Sequence, residues 1–147
     1  MSQVYDDGVR VKSLRMGGID LSAFQITQEH HSRAEVLHLV GSLDAHTSSE
    51  VEERLEGLLS TGAPALVLDF SLVDYVSSAG FGVLLNALHA FRMTGADIKI
   101  ARISERVYRL FATLGFHKIF DMRASIAEAI DSFEFLEADA DSGTGAT

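Results

Sequence analysis

From Val36 onward the chain alternates two hydrophobic periods. Short apolar or every-second-residue runs that suit strands are followed by amphipathic runs that suit helices, and turn residues separate each pair. Few architectures accept such a pattern, and it implies an α/β domain. Strands are expected over residues 35–41, 65–70 and 97–103, with a first strand at 23–29 and a short edge strand at 118–121. Leu66, Val67 and Leu68 are apolar without a break, which fits a central strand covered on both faces.

Caps mark the helices as clearly as periodicity does. Thr47 and Glu50 have capping-box spacing ahead of Val51, Leu55, Leu58 and Leu59, and Gly62 and Pro64 end that run. Ser77 or Ser78 precedes Leu84, Leu88 and Phe91 in a second helix that stops near Gly95. A third starts near Ser104, buries Val107, Leu110, Phe111 and Leu114, and closes at Gly115. A fourth opens with Ser125 and Glu128, another box, and buries Ile126, Ala129, Ile130 and Phe133. The expectation is one domain over residues 23–133, a mixed central sheet of four to five strands with about four helices.

The ends differ from this middle. Residues 1–22 read as an extension in which Val9, Val11 and Leu14 add an edge element or pack on the domain, and residues 134–147 read as an acidic disordered tail. The most apolar stretch, 79–91, is interrupted by Asn86 and His89 and falls short of the roughly 20 residues that cross a bilayer. Residues 1–20 offer no apolar core of a signal peptide, so a cytoplasmic protein is expected. Among 147 residues, 12 Lys and Arg stand against 21 Asp and Glu, a net charge of −9. This balance argues against binding a phosphate backbone, and the absence of Cys excludes disulfides, thiolate zinc sites and cysteine nucleophiles.

The segment from Leu68 to Leu85, LDFSLVDYVSSAGFGVLL, resembles the signature of the STAS domain found in bacterial anti-sigma factor antagonists: an apolar strand, a Ser-rich turn, Gly, and an apolar helix. Gly41-Ser42-Leu43-Asp44 is similar to the family's Gly-x-Leu-Asp turn, and Leu114-Gly115-Phe116-His117-Lys118-Ile119-Phe120 to its late helix-end segment. The resemblance covers about three-quarters of the chain. It implies a phosphorylation-switched module that binds an anti-sigma factor Ser/Thr kinase, frees a sigma factor, and is reset by a phosphatase, with no cofactor and no catalysis of its own. In the common form of the motif the acceptor Ser directly precedes Gly; here Ala79 holds that column, so the acceptor is expected at Ser78 first and Ser77 second. The plain alternative is that both serines only cap the helix.

The expected partner surface comprises Asp44, His46, Asp74, Ser77, Ser78 and Gly80. Gly80 is expected to allow a partner's close approach, and Gly82 to ease packing of helix on sheet. Asp44 and Asp74 as a carboxylate pair also suggest a nucleotide hydrolase, although no nucleophile or phosphate-binding loop accompanies them; a turn or capping role fits Asp74 better, and Asp44 fits a turn and the interface equally. His30, His31, His38, His46, His89 and His117 lack the spacing of a zinc helix, and no metal site is expected. A further alternative is a STAS subunit of a lipid-transport or signalling scaffold complex that needs no phosphorylation.

Overall fold

The structure, a computed structural model, describes residues 23–133 and, ahead of them, the backbone of three short strands. These are β1 (Gln3–Val4), β2 (Ser13–Met16) and β3 (Ile19–Asp20), which pair antiparallel in that order. The expected packing of Val9, Val11 and Leu14 and the acidic tail lie outside the described residues.

The main sheet holds five strands, β4 (Gln25–His30), β5 (Glu35–Leu43), β6 (Ala65–Val76), β7 (Asp97–Ala101) and β8 (Asp121–Arg123), in that order. β4 pairs antiparallel with β5, and the remaining joins are parallel. Parallel neighbours need crossovers, which here are α1 (Ser48–Ser60), α2 (Ser78–Met93) and α3 (Glu105–Thr113). After β8 comes α4 (Ile126–Asp131). The mixed sheet with four helices is as the sequence implies.

Alternate residues of β6 serve two cores. Leu66, Leu68 and Phe70 join Leu55 of α1, Phe81, Leu84 and Leu88 of α2, and Phe111 of α3. Ala65 and Val67 point the other way, onto Ala129 and Phe133 at the α4 end. Phe111 is the hub of the larger core, meeting Phe81 at 4.8 Å, Phe120 at 5.7 Å and Phe70 at 5.9 Å between ring centroids, each edge-on.

Asp69 continues the parity of Ala65 and Val67 onto the α4 face, but lies beyond that small core. It is 3% exposed. A carboxylate so placed is costly unless paired. Arg102 supplies a two-pronged contact at 2.7 and 3.1 Å, His38 Nδ1 lies at 2.6 Å, and the Ser71 amide donates at 3.0 Å. Burial opposes the charge, yet these partners outweigh it and lower the Asp69 pKa from 3.8 to about 2. The His38 ring is also opposed by burial, but Glu29 at 2.7 Å and Asp69 hold its charged form above the ordinary 6.5. Reaching Asp69 puts Arg102 in the left-handed region, φ 59°, and so ends β7 at Ala101 rather than at residue 103.

Two other expectations change. The short edge strand expected at 118–121 is present but starts later: a 3-10 turn occupies Phe116–Lys118, and strand pairing runs over Asp121–Arg123. Phe116 turns back to within 5.1 Å of Phe81, and its carbonyl accepts from the amides of Ile119 and Phe120, so the chain turns before it extends. β6 runs to Val76, well past residue 70, because two register shifts keep its second half paired with β5 from Val40 to Leu43.

Two outcomes follow from this architecture. Phe111→Ala should lower unfolding free energy by about 3–5 kcal/mol in urea titrations, against a small loss at exposed Tyr108. The charged cluster should shape the pH profile of stability at both ends. Asp69, with its lowered pKa, contributes fully above 3.8, and the contribution fades as pH falls through about 2. His38, with its raised pKa, contributes fully below 6.5, and the contribution fades as pH rises through its folded-state value. Denaturation midpoints should therefore lose much of their acid-side slope in Asp69→Asn and of their alkaline-side slope in His38→Gln; unchanged profiles would show the cluster uncoupled from folding.

Candidate functional site

β5 and β6 end side by side, with Leu43 paired to Val76, and everything expected at the functional surface is built on these two strand ends. The C-terminal edge of parallel strands is a common location for binding sites in open α/β sheets. The Leu43 carbonyl accepts from the Ser77 amide at 2.8 Å, which ties the Asp44 turn to the Ser turn through one backbone contact. Across the same pair of strands, the Ser42 hydroxyl donates to Asp74 Oδ1 at 2.6 Å.

Thr47 does not make the expected capping box. Its backbone is already helical and its hydroxyl makes no cap bond; instead Oγ1 donates to the Ser42 carbonyl at 2.7 Å and accepts from the Asp44 amide at 2.9 Å. Asp44 organises the turn, its Oδ1 accepting from the amides of His46 at 2.9 Å and Thr47 at 3.2 Å. Partial burial opposes the carboxylate, but these amides hold its pKa below the usual range. His46 is exposed at the tip of this turn.

The two serines have different environments. Ser77 is half-buried, has extended backbone, and caps α2 by accepting from the Gly80 amide at 3.3 Å. Ser78 is exposed at the first residue of a 16-residue helix with no acidic side chain in its first turn. Free amide hydrogens and the positive end of the helix dipole therefore lie close to its hydroxyl. Ala79 is half-buried.

Neither glycine takes the role expected of it. A Cβ on Gly80 would lie 2.6 Å from the Leu43 carbonyl oxygen and 2.9 Å from Leu43 Cβ, so the close approach is internal, of helix onto strand. Gly80 is buried and leaves the surface set. Gly82 is exposed, with nothing within 4 Å of where its Cβ would be, and so takes no part in packing helix on sheet. The sequence reading also missed Tyr75 and Leu72, 46% and 64% exposed on the second half of β6. Their exposure depends on the register shifts, which a strict two-residue period does not reveal.

Gly80→Ala should destabilise the protein by about 1–3 kcal/mol by forcing α2 away from Leu43. Gly82→Ala should stabilise it by about 0.5–1 kcal/mol by removing a helical glycine from open surface. Paired urea titrations check both, and equal effects of the two substitutions would contradict the assignment.

Comparison with known proteins agrees with this geometry. The family model for the STAS domain matches residues 25–129. The anti-sigma F factor antagonist of Paenibacillus polymyxa is 27% identical over 113 residues, spanning 76% of this chain and 97% of that protein. Among solved structures, an anti-sigma factor antagonist from Mycobacterium paratuberculosis superposes with a TM-score of 0.68 at 20% identity, covering 76% of this chain and 94% of that one. The Bacillus cell fate determinant SpoIIAA in its phosphorylated form does so with a TM-score of 0.58 at 23% identity, covering 74% and 97%. A matched region that takes in all five strands of the main sheet, together with that sheet's order, makes this chain a member of the STAS domain family, related to the anti-sigma factor antagonists.

Proposed function

We propose that the protein is an anti-sigma factor antagonist: a cytoplasmic module that binds an anti-sigma factor Ser/Thr kinase, frees a sigma factor, and is switched off by phosphorylation and on again by a phosphatase. The observation that carries this reading is Ser78, an exposed hydroxyl on the N-terminus of α2, joined through the Leu43 carbonyl to the turn that bears Asp44 and His46. Asp44, His46, Asp74 and Ser77 frame the docking surface around it, and exposed Tyr75 adds apolar area. The name of the Paenibacillus relative supports the partner class, and the phosphorylated form of SpoIIAA supports the switch.

Ser78 suits the acceptor role better than Ser77, whose oxygen already accepts from Gly80. A phosphate at Ser78 would carry about −1.5 to −2 charge onto a helix end able to receive it, so the fold tolerates what the interface does not. The protein is a binding module and not a hydrolase on this reading. The Asp44 carboxylate is occupied by the backbone amides of its turn, whereas Asp74 lies in β6 and is occupied by Ser42 of β5, so it ties two strands together rather than holding the turn expected of it.

Phosphate on Ser78 should weaken the kinase complex by about 2–5 kcal/mol, through repulsion and the desolvation of new charge. Ser78→Asp should weaken it in the same direction, and Ser78→Ala should bind but resist modification. Mass spectrometry after incubation with the kinase and ATP identifies the acceptor. No phosphate at Ser77 or Ser78 would leave Ser77 as a helix cap alone and favour the scaffold reading, in which the same surface binds without a switch.

A further inference from the structure

α1 and α2 cross the same face of the sheet and lie beside each other, and a groove of about 230 Å³ runs between them. Val83, Ala87 and Ala90 of α2 line it together with the polar Asn86, and Leu59, Glu52 and Glu56 line it on the α1 side. On α1 the lining positions fall on one helical stripe, and on α2 they repeat at the same spacing. α2 has no charged residue between Ser78 and Phe91, and its small side chains are what leave the groove open.

The two walls specify complementary chemistry. The small apolar wall calls for one large aliphatic or aromatic side chain, since only that would fill it and remove its area from water. The acidic wall calls for cations. Glu52 and Glu56 are exposed, and among the described residues neither has an ion-pair partner. α1 as a whole bears Glu50, Glu52, Glu53 and Glu56 against Arg54 alone, so an anionic metabolite or an acidic lipid surface is repelled there. A furrow between two helices that is mainly apolar, with Glu52 and Glu56 on its α1 wall and Asn86 the one polar side chain on its α2 wall, matches a third helix that is apolar on one stripe and basic beside it.

We propose that the α1–α2 groove seats a basic amphipathic helix of a protein partner, with an apolar anchor over Ala87 and Ala90 and Lys or Arg side chains against Glu52 and Glu56. Its walls begin beyond the first turn of α2, and Ser78 is not among the residues that line it. The inference therefore stands apart from the proposed switch.

The test is an NMR titration of the full chain with a synthetic Leu/Lys peptide of about 18 residues, long enough to hold a helix and patterned with one apolar stripe. The same composition with the stripe scrambled serves as control. Amide shifts should concentrate at Leu59, Val83, Ala87 and Ala90, and the scrambled peptide should bind at least about tenfold more weakly. Glu52→Gln with Glu56→Gln, both at exposed positions, should cost about tenfold in affinity with an unchanged melting curve, and Ala87→Lys should abolish the localised shifts. Equal binding of the scrambled peptide, shifts spread over the acidic surface, or unchanged affinity in the double variant would each overturn the proposal.

Discussion

The Leu43 carbonyl oxygen is the point on which the site depends. It ends β5, accepts the Ser77 amide from the end of β6, and faces the bare Cα of Gly80 in the first turn of α2. Two strands and a helix therefore meet at one atom. Any residue larger than glycine at position 80 separates them. The Asp44 turn on one side and the Ser turn on the other are consequently extensions of the sheet rather than independent loops, and the geometry a partner would meet is set by core packing. The switch proposed at Ser78 would need no refolding, because added charge would change what the surface tolerates and not where the surface is.

The opposite face of the sheet shows how the same strands afford a buried charge. α4 and Phe133 cover Val36, Ala65 and Val67, and beyond them the face turns polar. Lys99 follows the rule that Asp69 does, as a buried charge with its partner at hand: its Nζ contacts Asp121 at 2.6 Å and lies 4.9 Å from the centre of the Phe133 ring. These pairs join β6 to β5 and to Arg102 just after β7, and β7 to β8. They act across strands whose register the apolar face already fixes, so their contribution is to specify that face and to make its stability sensitive to pH.

Much of this was legible in the sequence because local patterns decided it. Periodicity located the strands and helices of the main domain, and Ser77, Ser104 and Ser125 do cap the helices they precede. The Ser-rich turn and the Gly-x-Leu-Asp turn marked the two strand ends that the fold brings together. What was not legible depends on contacts between distant residues. Asp69 meets His38 and Arg102 from 31 and 33 residues away, and nothing near Asp69 signals that pairing. Thr47 had the spacing of a cap but was claimed by Ser42 and Asp44, a competition visible only once the turn is folded. The glycine roles were misassigned for the same reason: Gly80 is on the side of α2 that faces Leu43, and Gly82 is on open surface.

The central claim is that the Ser turn is fixed to the sheet before any partner arrives, and hydrogen exchange at the Ser77 amide tests it most directly. This proton is bonded to the Leu43 carbonyl at the end of two paired strands. The account predicts that it exchanges only through large-scale opening, with a protection free energy close to that of Leu68 in the centre of β6. Exchange at the rate of an open loop, while Leu68 stays protected, would contradict it.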